Sequence, residues 1–149
     1  PRGEADETGA VYAGAENTAK GAYTLLEAAN SKPEVILIAT GSEVEIAVAA
    51  RQQLEAQGVA TRVVSAPCLE WFDEQSAQYR EQVLPASVKA RVSVEAGLAL
   101  GWNKYVGANG RSVSIEHFGA SADAKTLYRE FGMTAEAVVA AAKESIATL

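Results

Sequence analysis

A three-layer α/β domain, with helices on both faces of a mainly parallel sheet, is the fold class this sequence predicts, and three observations predict it. The run Ile36-Leu37-Ile38-Ala39-Thr40-Gly41-Ser42-Glu43-Val44-Glu45 writes a buried strand, a tight turn and a helix start without interruption, which is the repeating unit of an open α/β sheet. Three further β-rich runs, at 61–66, 89–95 and 112–117, follow with helical or irregular segments between them, a succession that favours parallel strands joined by right-handed crossovers. At 149 residues, 48% hydrophobic and 21% charged, the chain is the size of one domain with a sizeable core.

Residues 1–18 carry Gly3, Gly9, Gly14 and the acids Glu4, Asp6, Glu7 and Glu16 among few large apolar side chains. Such a composition buries too little surface to offset chain entropy, so a linker or disordered tail is expected there and a domain over 19–149. Residues 21–27 include Ala22-Tyr23-Thr24-Leu25-Leu26, a mixed run that suits an edge strand or a helical turn. Residues 35–40 are almost wholly apolar and β-rich, as a central strand covered on both faces requires.

Ser42 stands three residues before Glu45, the spacing of a capping box. Val44, Ala47, Val48 and Leu54 then fall on one helical stripe, Glu43, Gln52, Gln53 and Gln57 lie off it, and Gly58 is placed to end the helix. The strand at 61–66 is stopped by Pro67, and 69–72 reads as a loop or short turn. Over 73–83 the spacing is helical, with Phe72, Tyr79 and Val83 on one side, Glu74 and Glu81 on the other, and Pro85 beyond the end. Gly107-Ala108-Asn109-Gly110 marks a turn between a short helical piece and the last strand. Ser121 is placed to cap a helix through Phe131, and Thr134 one over 135–147, with Gly132 separating them.

Composition narrows the function. A net charge of −6 repels a phosphate backbone, which argues against nucleic-acid binding. No apolar run approaches the roughly 20 residues of a membrane span and no signal peptide opens the chain; a cytoplasmic location is expected. Cys68 is the sole cysteine, excluding an internal disulfide or a multi-cysteine metal site, and reads as a small buried hydrophobe. The chain begins at Pro1 and its single methionine is Met133, as a fragment or processed product would.

In open α/β sheets ligands gather beyond the carboxyl ends of the strands. Three segments end there: Thr40-Gly41-Ser42, Glu95-Ala96-Gly97 and His117-Phe118-Gly119-Ala120-Ser121. Gly41-Ser42 falls short of either glycine-rich phosphate motif, so capping is the simpler role. His117, the only histidine, lies beside Glu116 and could shuttle a proton, but no nucleophile accompanies it at readable spacing and tying down the last loop is simpler. Glu43, Glu45, Glu95 and Glu116 match no calcium or zinc pattern and read as solvated or capping. Trp71, Phe72, Trp102 and Tyr105 suit an interface or internal packing equally. A nucleophile elbow and a dinucleotide fingerprint are both absent.

Five ordered blocks carry a family likeness: Ile36-Leu37-Ile38-Ala39-Thr40-Gly41-Ser42-Glu43-Val44, Ala60-Thr61-Arg62-Val63-Val64-Ser65-Ala66-Pro67, Tyr79-Arg80-Glu81-Gln82-Val83-Leu84-Pro85, Ala90-Arg91-Val92-Ser93-Val94-Glu95-Ala96-Gly97 and Phe118-Gly119-Ala120-Ser121-Ala122. From about Ala19 onward the chain resembles the C-terminal domain of bacterial transketolases. The resemblance implies a mixed five-stranded sheet whose first strand, from 21–27, is antiparallel to the other four. It also implies a parent homodimer that moves a two-carbon ketol unit between sugar phosphates with thiamine diphosphate and a divalent metal, magnesium or calcium.

In that family the cofactor is held by earlier domains through a Gly-Asp-Gly segment, which this chain lacks. The resemblance therefore assigns no catalytic, cofactor-binding or metal residue here, makes 1–18 the connection from the preceding domain, and leaves the isolated chain inactive, with a scaffolding role. A regulatory pocket at the strand ends would be lined by Ser42, Glu95 and His117. The alternative reading is a stand-alone α/β module binding a small anion or a protein partner. Two-oxoacid dehydrogenases and deoxyxylulose-phosphate synthases have a similar last domain; Phe118-Gly119-Ala120-Ser121 argues for transketolase among them.

Overall fold

The Val35–Ala39 run is buried at every position, and the reason is its place in the sheet. A computed structural model describes residues 11–149; the first ten residues of the expected linker lie outside the described residues. The strands are β1 (Tyr23–Leu26), β2 (Val35–Ala39), β3 (Thr61–Ser65), β4 (Ala90–Val94) and β5 (Arg111–Val113), and the helices are α1 (Glu43–Ala56), α2 (Leu69–Asp73), α3 (Ala77–Val83), α4 (Asn103–Val106), α5 (Ala124–Glu130) and α6 (Ala135–Ala147). The sheet order is β1-β3-β2-β4-β5. β1 runs antiparallel to β3, while the β2–β3, β2–β4 and β4–β5 pairs are parallel. The mixed sheet with an antiparallel edge strand is as expected.

Alternation along the central strands feeds two cores. Leu37, Val63, Val92 and Val94 pack with Ala47, Ala50 and Leu54 of α1 and Val138 and Ala142 of α6. Ile36, Ile38 and Val64 face the opposite way, against Phe72, Val83, Trp102 and Tyr105. With both faces covered, the inner strands can be apolar throughout. Phe72, Trp102 and Tyr105 are thus internal packing residues, whereas Trp71 is exposed.

Two arginines fix the amino end of the sheet. Arg62 on β3 grips Glu27 through Nε and Nη2 at 2.9 and 2.7 Å, and its Nη1 donates to the last carbonyls of α3, Gln82 O and Val83 O, at 2.8 Å each. A cation is favoured at that helix end. Arg51 of α1, wholly buried, donates to Thr61 O and Glu27 O. Every buried side-chain nitrogen and oxygen among the described residues has a hydrogen-bond partner.

Several local expectations are corrected. Ser42 does precede α1, but its backbone is already helical (φ −69°, ψ −24°) and its side chain makes no cap bond. A capping oxygen reaches the first N–H groups from an extended backbone; here the Ser42 hydroxyl turns to Glu43 and Tyr128 instead. The expected helix over 73–83 starts late, as α3, only after Ser76, whose Oγ accepts from Tyr79 N, and the segment 69–72 read as a loop or short turn is helical, as α2. Asp123, not Ser121, caps α5 by accepting from Thr126 N at 3.0 Å. β5 stops at Val113, four residues before His117. Cys68 is half-buried, its thiol 3.5 Å from Glu70 Oε2. Thr134 caps α6 as its sequence suggests, accepting from Ala137 N at 3.2 Å.

Of the expected tail, residues 15–18 belong to a 3₁₀ turn, Ala15–Lys20, and Ala13 N donates to Leu25 O of β1. Gly21 then turns the chain into β1 at φ +81°. A Cβ there would stand 2.3 Å from Cys68 O and from Phe72 N, so only glycine lets the chain pass beneath α2. Among the described residues no helix is long and apolar enough to cross a membrane.

Candidate functional site

The carboxyl ends of β2, β4 and β5 lie along one edge of the sheet, since all three strands are parallel and adjacent. From β2 the chain turns at Gly41 into α1, placing Glu43 in its first turn, where the helix dipole favours a carboxylate. Glu43 is only 6% exposed, although the helical stripe left it off the buried side. Its Oε1 accepts from Ser42 Oγ at 3.0 Å and from the Tyr128 hydroxyl of α5, and the two hydroxyl oxygens are 2.9 Å apart. Two hydroxyl hydrogens therefore serve three close oxygen contacts. As acceptor, Glu43 raises the Tyr128 pKa above the ordinary phenol value, against an opposing pull from Ser42.

Glu95, the first residue beyond β4, accepts from Trp102 Nε1 at 2.7 Å, while its N donates to Val113 O at 3.2 Å. Beyond β5, Ile115 N donates to Gly97 O at 2.9 Å, so the segments leaving the two strands remain joined. Glu116 accepts from Ala99 N and from Ser114 Oγ, both at 2.8 Å; the Ala99 bond, then the Ser114 bond, lowers its carboxyl pKa. His117 is exposed, with Nδ1 2.8 Å from Phe118 O and its ring edge-on to Phe131 at 4.6 Å between centroids. Among the described residues, a carbonyl and an aromatic ring are the contacts its ring makes, and neither polarises it for acid–base work.

Ser42, Glu95 and His117 share this edge but not a cleft. His117 lines an open cleft of roughly 530 Å³ with Leu98, Ile115, Phe118 and Gly119. Ser42 lines another, of roughly 470 Å³, with Ile46, Ala49, Tyr128 and Met133 between α1 and the last two helices. Glu95 is in neither set. No three His, Cys, Asp or Glu residues among the described ones stand together to hold a metal ion.

Sequence reasoning missed the apolar character of this edge. Phe118 is 98% exposed and Leu100 82% exposed, with Leu98 also outside. The available signal was weak: large apolar residues standing among Gly and Ala in loops. Away from the edge, Asp73 Oδ2 accepts from Lys104 Nζ at 2.6 Å and from the Tyr105 hydroxyl at 2.9 Å. Burial, and then the Asp73 bond and charge, push the Tyr105 phenol up to about 12; the Lys104 bond foremost lowers the Asp73 carboxyl.

Fold and edge together define a three-layer αβα domain with one antiparallel edge strand, whose strand ends offer satisfied polar groups and exposed apolar ones rather than a reacting cluster. The family model described as the transketolase-like TK C-terminal domain matches residues 21–134, and the chain belongs to that family. It is 57% identical over 130 residues to the chloroplastic transketolase of Solanum tuberosum, covering 87% of this chain and 18% of that protein. To the transketolase of Mycobacterium leprae it is 56% identical over 132 residues, 87% of this chain and 19% of that one. The solved transketolase of Leishmania mexicana superposes with a TM-score of 0.81 at 41% identity, over 89% of this chain and 19% of that structure. The chain thus spans about a fifth of the length of the transketolases it matches.

Proposed function

We propose that this chain is the last domain of a cytoplasmic, homodimeric transketolase, which moves a two-carbon ketol unit between sugar phosphates in the pentose phosphate pathway. The family match over 21–134 carries this reading, supported by the transketolases of Solanum tuberosum, Mycobacterium leprae and Leishmania mexicana, each several times longer than the chain. In the reading, residues 1–18 connect to the preceding domains and residues 19–149 give a non-catalytic scaffold.

Thiamine diphosphate and its divalent metal do not fit the described residues of this chain. A diphosphate-bound metal needs oxygen donors converging on one point. Here Glu43 is engaged by Ser42 and Tyr128, Glu95 by Trp102, and Glu116 by Ala99 N and Ser114. Cofactor and metal are assigned to the preceding domains.

The test compares the 149-residue chain with the full-length polypeptide. Titration calorimetry of thiamine diphosphate with magnesium is expected to give binding heat only for the full-length protein, and ketol transfer from a ketose phosphate to an aldose phosphate is expected only there. Cofactor binding or transfer by the short chain would overturn the non-catalytic assignment. A full-length protein with neither property would overturn the transketolase reading itself.

A further inference from the structure

We propose that the hollow between α2, α3 and α4, on the face of the sheet opposite α1 and α6, binds a small phosphomonoester through its phosphoryl group. The hollow measures roughly 450 Å³ and draws Asp73 from the end of α2, Arg80 and Glu81 from α3, Arg91 from β4 and Lys104 from α4. Charge pairing sets it apart. Of the described arginines, Arg51, Arg62, Arg111 and Arg129 each stand within ion-pair distance of a carboxylate. Arg80 and Arg91 bond only to backbone carbonyls among the described residues, and both line this one hollow. The site is built wholly from residues of this chain and does not depend on the ketol transfer proposed above.

Arg91 donates from Nε to Val88 O, from Nη1 to Tyr105 O and from Nη2 to Leu84 O and Pro85 O, at 2.7 to 3.2 Å. Carbonyl dipoles orient a guanidinium without cancelling its unit charge, so its field reaches the hollow. Arg80 donates through Nη1, to Asp73 O and Gln75 O, which leaves its Nε and Nη2 hydrogens for a ligand. Lys104 Nζ stands 2.6 Å from Asp73 Oδ2 and is mostly exposed. The two carboxylates are themselves engaged, Asp73 by Lys104 and the Tyr105 hydroxyl, and Glu81 by Ala86 N at 2.9 Å. Three cations against two acids thus give a local positive excess in a chain of net charge −6. A phosphoryl group fits this donor set, because its oxygens accept several charged N–H groups at once and match the planar arginine fork. Inorganic phosphate would leave much of the volume empty, and Phe72 and Leu84 give the remainder an apolar wall for the organic part of an ester.

The experiment titrates phenyl phosphate and, separately, inorganic phosphate into the isotope-labelled 149-residue chain, followed by two-dimensional NMR at constant ionic strength with chloride as the control salt. Saturable shifts are expected at Arg80 Nε–H and at the backbone amides of Ala77 and Lys104, with phenyl phosphate the tighter binder. Arg80→Gln and Lys104→Gln are each expected to weaken binding about tenfold, through loss of a charged donor. Glu81→Gln removes an opposing charge and keeps an oxygen for Ala86 N; it is expected to strengthen binding about threefold, a gain that a damaged fold does not produce. Shifts that chloride reproduces, titrations that do not saturate, or unchanged affinity in Arg80→Gln would overturn the site. Weaker binding by Glu81→Gln would overturn capture by charge. Equal affinity for the two probes would overturn the ester in favour of free phosphate.

Discussion

Tyr128 on α5 donates its phenolic hydrogen to the carboxylate of Glu43 in the first turn of α1, across 85 residues of sequence. The bond joins the start of the first long helix to the helix that follows the sheet. It also compensates a carboxylate that is nearly buried.

Tyr128→Phe removes that donor and leaves Glu43 with Ser42 alone. The expected loss is about 1.5–3 kcal/mol, as for other hydrogen bonds to charged groups, read as a shift of the urea midpoint with unchanged slope. A loss no larger than that of a surface substitution would show that the bond is not formed in solution.

Tyr105 should be the last of the described tyrosines near α3 and α4 to ionise. Its folded pKa of about 12 exceeds the ordinary value of 10, so its contribution to stability is complete below pH 10 and is lost as pH rises through about 12. Spectrophotometric titration should show a late phenolate step that Tyr105→Phe abolishes and Asp73→Asn moves to lower pH. The Asp73 carboxyl, held low chiefly by Lys104, contributes above its unfolded value near 3.8 and loses that contribution as pH falls through its lower folded value.

Arg62→Met should be among the costlier single changes. It strips Glu27 of a two-pronged partner and leaves the last carbonyls of α3 without their donor. Because Glu27 is itself 38% exposed, the loss is that of charge-assisted hydrogen bonds, on the order of 2 kcal/mol, measured by chemical denaturation. A change below 1 kcal/mol would mean that water replaces the guanidinium freely.

Gly21→Ala meets two penalties at once, a positive φ and a Cβ pressed against backbone atoms of α2. Together they should exceed about 2 kcal/mol and loosen β1, seen as faster amide exchange at Tyr23 and Leu26. Unchanged exchange would refute the close passage.

Thr134→Ala should cost about 1 kcal/mol, the usual loss for a helix cap, because Thr134 Oγ1 accepts from Ala137 N. Glu45→Gln should change stability by less than about 0.5 kcal/mol, since Glu45 is exposed and Ser42 makes no cap bond. A loss at Glu45 equal to that at Thr134 would restore the capping box.

The inner strands were readable because Val35–Ala39 and Thr61–Ser65 are dense in β-branched apolar residues, a property carried by the run itself. Thr134 was readable for the same reason: cap and helix are contiguous. The burial of Glu43 was not, because the decisive partner, Tyr128, comes from a distant helix. Ser121 and Asp123 are both competent caps for α5, and it is Asp123, extended at the helix start, whose carboxylate reaches Thr126 N. Ser42, Glu95 and His117 follow strands whose carboxyl ends share an edge, but Ser42 and His117 line different clefts and Glu95 neither, its carboxylate being taken by Trp102 while His117 packs on Phe131.

The sheet order β1-β3-β2-β4-β5 sets a sequence of assembly. β1 is made before β2, yet its place is on the far side of β3, so Tyr23 leaves the ribosome well ahead of Ser65, the residue it pairs with. Nucleation is therefore expected at β2 and β3 with α1 between them, with the edge strand closing onto a sheet already begun.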